Sequence, residues 1–245
     1  MASKARILYE FHGFSVPLQI IKERRFSVRV SIAKTGAFLR LPSIMPNPLV
    51  QSEITKAKKW LQKTIHKDPK AYDRFSSASY PDHFTKEVHD QLFTIQIHRS
   101  NRKTNTGKIK NDQLLLTIAD DLTAFQEKDV VKKLQSRLFA KYFQGSFSDR
   151  VKEINDQTYK KSFKSVNLKY NRSNWGSCSS MTNLNFSTRL LLTPAAVRDY
   201  VIVHELAHLT EMNHSDRFWN LVEKAMPSYK DKEKWLKKYG SHCDF

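Results

Sequence analysis

The chain has 245 residues, of which 40% are hydrophobic and 11% aromatic, and it contains only six Gly and eight Pro. This composition excludes collagen-like, low-complexity and wholly disordered proteins. The 42 basic and 24 acidic residues give a net charge of +18, and the whole excess falls within residues 1–200. Such a charge is typical of nucleic-acid-binding proteins, although a solubilising surface without a polyanion partner explains it equally well.

The two cysteines, Cys178 and Cys243, allow at most one disulfide, which excludes a disulfide-stapled secreted scaffold. No apolar run approaches the roughly 20 residues that cross a bilayer. Near the N-terminus, Glu10, His12 and Gly13 interrupt the segment that would have to be the apolar region of a signal peptide. We therefore expect a cytoplasmic protein without a membrane partner.

The N-terminal residues are predicted to form short strands of a small antiparallel sheet. The predicted strands are residues 7–11, 16–21, 26–32 and 38–41. A helix then follows to about residue 66, because apolar residues recur at helical spacing from Ile54 to Ile65. The polar stretch 66–81 is the expected linker.

The middle of the chain predicts a second pair of strands and a long helix. Residues 92–98 and 114–118 are the predicted strands, and the first is followed by a polar, basic loop at 99–108. Thr123 and Gln126 form a capping box, which opens a helix to about residue 154. Gly145 is a candidate break in that helix. No internal sequence repeat is visible.

The C-terminal third combines a predicted hairpin with two helices. Segments 166–170 and 184–192 are strand-like and flank the sequence NRSNWGSCSS, which indicates a hairpin with a wide turn. Thr193 is the predicted N-cap of an apolar, buried helix at 195–209. A last helix is predicted to start at Ser215.

The apolar helix carries His204 and His208, with Glu205 between them. Positions i and i+4 lie on one face of a helix, so two imidazoles can bind one ion while the carboxylate lies beside it. A zinc hydrolase needs this combination, because the carboxylate takes a proton from the attacking water. The alternative is a pair of hydrogen-bonded core histidines.

A third ligand is expected, since catalytic zinc usually has three protein ligands and one water. His214 is the main candidate. If the helix continued to it, His214 would lie about 240° around the axis from His208, so the helix must end first. We expect Asn213 to adopt a left-handed conformation there and Ser215 to cap the next helix. The weaker ligand candidates are Glu211, which is also a candidate partner for an imidazole N–H, and Glu223.

Residues 172–229 resemble the YgjP-like zinc metallopeptidases, which are relatives of the SprT-like and WLM proteases. The similarity lies in the WGSC turn at 175–178, the VHELAHL helix at 203–209 and the segment from Asn213 to Trp219. The resemblance implies an α+β fold with a zincin-like catalytic core of helices and a small antiparallel sheet. It also implies that His204, His208 and His214 are zinc ligands and that Glu205 is the general base.

The expected domains are a β-rich N-terminal part with one helix and basic loops at 1–121, and the metallopeptidase core at 122–245. We predict a zinc-dependent peptidase that acts on proteins or peptides, including those associated with nucleic acid. An extended substrate is expected to pair with the edge of the strand at 184–192 or of its partner strand. The alternative is a basic protein that binds nucleic acid through residues 1–200. Its zinc site would then be structural or catalytically idle.

Several roles near the predicted centre stay open at the level of the sequence. Trp175 is either a packing anchor of its turn or a wall of the substrate cleft. Cys178 is either a fourth ligand, an inhibitory thiolate or a small buried residue. The candidates for stabilising the oxyanion are Arg172, Tyr229 and His242.

Overall fold

The computed structural model describes residues 3–33, 35–69, 72, 75 and 79–245. These residues form an α+β protein, as the sequence predicts, and the structure contains three sheets and five α-helices. The chain divides into two compact units, Met1–Tyr80 with Leu122–Asp129, and Pro81–Asp121 with Val130–Phe245. Part of the predicted linker, residues 70–71, 73–74 and 76–78, lies outside the described residues.

The first unit contains a four-stranded sheet and one helix. The elements are β1 (Ser3–Phe11), β2 (Phe14–Glu23), β3 (Arg29–Ala33), β4 (Gly36–Pro42) and α1 (Asn47–Lys67). The strand order is β1-β2-β4-β3, and β2 pairs with β4 in parallel. The predicted antiparallel sheet is therefore mixed, because β3 lies outside β4 instead of between β2 and β4.

Alternation along these strands places one apolar face against α1. Val16, Leu18 and Leu39 of the sheet are fully buried together with Leu61 and Ile65 of the helix. This packing forms the hydrophobic core of the first unit.

The second unit begins with a sheet of the same plan. Its strands are β5 (His83–Val88), β6 (Gln91–Ser100), β7 (Thr106–Lys110) and β8 (Gln113–Ala119), in the order β5-β6-β8-β7 with β6 and β8 parallel. A long helix, α2 (Ala124–Gln157), follows this sheet in the chain, as α1 follows the first. The chain thus repeats a pattern of four strands and a helix that is not visible as a sequence repeat.

Strands β5 and β7 are absent from the sequence prediction, in which 99–108 is a loop. Both are short, and their outward residues are polar, so neither gives a clear apolar alternation. Residues 81–121 pack within the second unit, where the Phe93 ring lies 4.9 Å from that of Phe139 in α2. The compact units thus separate after Tyr80, whereas a functional boundary at 121 stays a prediction.

The capping box at the start of α2 is confirmed. The Thr123 amide donates to Gln126 Oε1 at 2.9 Å, and the Gln126 amide donates to Thr123 Oγ1 at 3.4 Å. Gly145 does not interrupt the helix. In the described residues no helix combines the length and hydrophobicity needed to cross a membrane, and both cysteines are free.

A three-stranded sheet precedes the histidine helix. Its strands are β9 (Ser165–Lys169), β10 (Gly176–Cys178) and β11 (Asn183–Ser187), in the order β10-β11-β9. The predicted hairpin of 166–170 with 184–192 is wrong, because β9 and β11 are parallel and β10 is the antiparallel partner of β11. The second segment leaves the sheet after Ser187 and forms a 3-10 helix, Thr188–Leu192.

Three helices complete the second unit. They are α3 (Ala195–Ala207), α4 (Asp216–Ala225) and α5 (Tyr229–Tyr239). The sequence prediction lacks α5, whose many lysines weaken its apolar pattern. The predicted cap Thr193 instead donates its hydroxyl to the Leu190 carbonyl at 2.8 Å, and Pro194 occupies the N-cap position of α3.

Candidate metal centre

Helix α3 is buried along most of its length, as its apolar sequence predicts. Its buried residues are Val197, Arg198, Tyr200, Val201, Ile202, Val203, Glu205, Leu206 and Ala207. The helix therefore brings the polar side chains of its last turn into an environment that water reaches poorly. Polar groups in such a place need partners or a ligand.

The end of α3 determines where His214 lies. The amides of Leu209 and Thr210 bond three residues back, to Leu206 and Ala207, each at 3.0 Å, so the last turn tightens and the helix stops. The predicted left-handed Asn213 is wrong, because its φ is not positive. The chain turns without it, and Ser215 caps α4 as predicted by accepting the Phe218 amide at 3.4 Å.

Three histidines meet at this corner. The possible ligand atoms of His204, His208 and His214 all lie within 4.8 Å of one another. The Nε2 atoms of His204 and His214 are 3.0 Å apart, close to the separation of about 3.3 Å that two ligands of a tetrahedral zinc ion adopt. In the described residues this is the cluster that could hold a metal ion, and Glu211 and Glu223 are not part of it.

Phe218 is the packing centre of the three imidazoles. Its ring is fully buried, stacks on His208 at 4.4 Å, and contacts His204 at 4.9 Å and His214 at 4.8 Å between ring centroids. Because the capped start of α4 places Phe218 directly after the corner, one local structure positions both the third histidine and the ring that supports all three.

A hydrogen bond sets the protonation of His208. Its Nδ1 lies 3.0 Å from the Glu211 carbonyl oxygen. A carbonyl can only accept, so Nδ1 carries the proton and the lone pair of Nε2 is left for a ligand. The sequence suggests Glu211 as a partner of an imidazole, and the structure supplies its main-chain oxygen in place of its carboxylate.

The surroundings of His204 and His208 favour neutral imidazole, which is the form that binds metal. Burial, with smaller effects of His208 and His214, lowers the pKa of His204 to about 3. Burial also lowers the pKa of His208, and the hydrogen bond to Glu211 partly opposes this. His204 Nδ1 is buried and has no hydrogen-bond partner among the described residues. Three imidazoles whose ligand atoms lie within 4.8 Å of one another, with the Nε2 atoms of His204 and His214 3.0 Å apart, fit a shared cation.

Glu205 is buried beside strand β10. Its side chain is against the main chain of Gly176, since a Cβ placed at 176 would lie 2.5 Å from Glu205 Oε1 and 2.6 Å from its Cγ. Burial raises the pKa of Glu205 to about 8. A cation bound by the histidines would lower that pKa again, because an opposite charge favours the carboxylate.

The sequence does not mark Gly176 as a part of the site, since it is only one residue of the WGSC turn. Its missing side chain provides the space that Glu205 fills. A close approach between a glycine and a distant side chain leaves no local sequence pattern.

We expect Gly176→Ala to displace the Glu205 carboxyl group and to lower kcat for peptide hydrolysis about 100-fold, within the range attributed to a positioned general base. Gly145→Ala is the matched control, because a Cβ there meets nothing within 4 Å and alanine favours a helix. Steady-state kinetics and thermal unfolding of both variants test this. Wild-type kcat in Gly176→Ala would show that the contact with Glu205 is irrelevant.

Arg189 connects the turn of Trp175 to the last residues of the chain. Its guanidinium donates to the carbonyls of Cys243 at 2.7 Å, Arg172 at 3.0 Å and Gly240, and it lies 4.1 Å from the centre of the Trp175 ring. These contacts favour Trp175 as the packing anchor of its turn. The turn leads directly into Gly176 and thus to Glu205.

Two further residues whose roles the sequence leaves undecided are Tyr229 and Cys178. The Tyr229 ring stacks on Trp219 at 5.5 Å, and Trp219 is 5.8 Å from His204. Cys178 is half-buried, and burial together with the Glu205 charge raises the pKa of its thiol. The described cluster of candidate ligands contains no sulfur atom.

An HExxH helix followed by a third histidine at a tight corner is an arrangement that suits a catalytic metal ion. The profile of the family described as YgjP-like, metallopeptidase domain, matches residues 24–239, and the chain belongs to this family. It is therefore a hydrolase whose family implies a metal ion and peptide substrates.

Two solved structures are similar to part of the chain. One is the metallopeptidase zymogen abylysin of Pyrococcus abyssi, with 22% identity and a TM-score of 0.35 over 38% of this chain and 93% of that chain. The other is the zymogen jannalysin of Methanocaldococcus jannaschii, with 19% identity and a TM-score of 0.34 over 38% and 94%. No curated protein is a significant match.

Proposed function

We propose that the chain is a zinc-dependent peptidase in which His204, His208 and His214 hold the ion and Glu205 is the general base. The observation that carries this proposal is the meeting of three imidazoles at the end of a buried helix that also carries a buried carboxyl group. A purely structural centre has no use for the carboxyl group, whereas hydrolysis requires a proton acceptor.

The donor set supports zinc. Three neutral imidazoles with one remaining position are the ligand set of many catalytic zinc sites, although imidazole also binds copper, iron and nickel. When bound, zinc acidifies a water molecule and polarises a peptide carbonyl.

The chain's own residues carry out the proton transfers. Glu205 accepts a proton from the attacking water at its carboxylate and then donates it to the amine that leaves. Burial favours the protonated form of Glu205, whereas a bound cation favours the carboxylate, and these opposing effects allow the group to accept the proton and then to release it. The contact with Gly176 holds the side chain in one place, so the proton acceptor does not have to be ordered during the reaction.

Strand β10 (Gly176–Cys178) is the expected docking edge for the substrate. The central strand β11 has partners on both sides and offers no edge, whereas β10 and β9 are outer strands, and β10 is the one that contacts Glu205. An extended peptide that pairs with β10 would pass the main chain that contacts Glu205.

Metal removal tests the proposed function. We expect the purified protein to bind about one zinc per chain and to cleave an unfolded protein such as casein. Chelation should stop cleavage, and one equivalent of zinc should restore it, with product masses identifying the cleaved bonds. Cleavage that continues at the same rate after verified zinc removal would contradict the proposal.

The second candidate function is nucleic-acid binding. In one form the zinc site is catalytically idle, and in the other it is active and cleaves proteins that are bound to the nucleic acid. The observation that favours it is the net charge of +18. Zinc binding without cleavage of any tested peptide would favour the idle-site form of this candidate.

A further inference from the structure

The sheet of the first unit has a second face, opposite the one that packs on α1. Strand alternation and register place on it the residues that we call the arginine face: Arg6, Gln19, Arg29, Phe38 and Arg40. Arg6, Gln19 and Phe38 lie side by side across β1, β2 and β4. Arg29 and Arg40 form the neighbouring row on β3 and β4.

The arrangement of charge on this face opposes stability. Arg29 and Arg40 are directly opposite each other on antiparallel strands, a position in which like charges repel. Arg6 and Arg29 are exposed and make no ion pair with any described residue. An anionic partner would relieve this repulsion.

Arg40 is already oriented on the face. Its guanidinium lies 5.2 Å from the centre of the Phe38 ring and donates to Ser31 Oγ at 3.3 Å. Glu23 is 3.9 Å away, at the end of β2. The hydrogen bond to Ser31 uses one N–H group of this guanidinium, and a guanidinium has five N–H donors with which to bind an oxyanion as well.

The connection between β2 and β3 adds a ring at the edge of the arginine face. Phe26 is fully exposed, and Arg24 beside it is exposed as well. The acidic groups nearby already have partners, since Glu23 pairs with Arg25 at 3.0 Å and Glu10 accepts a hydrogen bond from Ser15. The segment from Arg24 to Arg29 thus presents cations and one unpacked aromatic ring.

We propose that the arginine face and Phe26 bind single-stranded nucleic acid, with the guanidinium groups on phosphates and the Phe26 ring stacked on a base. A sheet surface with arginine and exposed aromatic side chains favours single-stranded nucleic acid over a duplex, because unpaired bases are free to stack on the aromatic rings. An anionic membrane surface would need a broad apolar area, whereas this face carries arginines on β1, β4 and β3. The proposal assigns a surface to the nucleic-acid association suggested above and holds whether or not the zinc site is active.

Fluorescence anisotropy of the full chain with a labelled single-stranded DNA of about 12 nucleotides, its duplex form and anionic vesicles tests this. The main variant is Arg6→Gln with Arg29→Gln. The matched control is Lys108→Gln with Lys110→Gln, which removes two exposed cations from β7 of the second unit.

We expect the arginine pair variant to bind at least about tenfold more weakly, and the slope of log K against log salt to fall by about 1.4, as for two lost phosphate contacts on a single strand. Phe26→Ser should weaken binding by roughly tenfold without changing that slope. The lysine control should change affinity less than about twofold. Each variant should retain wild-type peptide cleavage, which separates this result from the zinc site.

Four results would overturn the proposal, three that concern binding of the single strand and one that concerns the duplex. The first three are the absence of binding at low salt, an equal loss in the arginine and lysine variants, and binding to vesicles without binding to the single strand. Tighter binding to the duplex would likewise contradict the assigned partner.

Discussion

Replacement of Glu205 by glutamine should lower kcat about 10²- to 10⁴-fold, the usual contribution of a positioned general base. An amide cannot accept the proton of the attacking water, whereas its size is close to that of the carboxyl group that fills the space above Gly176. The variant should therefore fold normally and still bind about one zinc per chain.

The measurement is steady-state cleavage of one defined peptide, with the zinc content of each preparation determined in parallel. Glu223→Gln is the control, because Glu223 is an exposed residue of α4 outside the histidine cluster. Cleavage by Glu205→Gln at the rate of the control would exclude Glu205 as the base and leave the metal site intact.

Replacement of His214 by alanine should weaken zinc binding by more than about 100-fold, since even residues that only orient a ligand contribute 10- to 100-fold. His214 is exposed and lies in the connection between α3 and α4, so its removal leaves the core in place. Peptide cleavage should fall to background at zinc concentrations that saturate the wild type.

Zinc titration by calorimetry and circular dichroism of the variant separate ligand loss from unfolding. His98→Ala, which removes an exposed histidine of β6, provides the control. Wild-type zinc affinity in a folded His214→Ala protein would mean that the third imidazole is not a ligand, and the hydrolase mechanism would need another residue.

The histidine helix could be predicted because its signals are local. Apolar residues on nearly every side indicate a buried helix, and the spacing of His204 and His208 places both on one face. The cap at Ser215 also has a local signature, and it sufficed to place His214 at a corner. The expected left-handed Asn213 was wrong because a helix can equally end through i to i+3 hydrogen bonds, which many sequences allow.

Strand partners were harder to predict than strands. Alternation shows that residues 165–169 and 183–187 are extended but does not give their relative direction, so the parallel pairing of β9 and β11 was missed. The parallel pairs within both four-stranded sheets were missed for the same reason. The short strand β10 lies in a segment of small and polar residues, where no periodicity is visible.

Two determinants of the site depend on contacts between distant segments. Gly176 accommodates Glu205, which lies 29 residues later, and Arg189 joins the turn of Trp175 to Gly240 and Cys243. No pattern within either segment announces such a contact. The importance of these residues can be inferred only from the fold, which brings the segments together. We expect substitutions at these positions to affect catalysis although they are far from the histidines in sequence.

X-ray absorption at the zinc edge of the purified, zinc-loaded protein tests the central claim most directly. We expect three imidazole nitrogen ligands at about 2.0–2.1 Å and one oxygen ligand from water. A sulfur ligand at about 2.3 Å, which would place Cys178 on the ion and close the position that water needs, would contradict it.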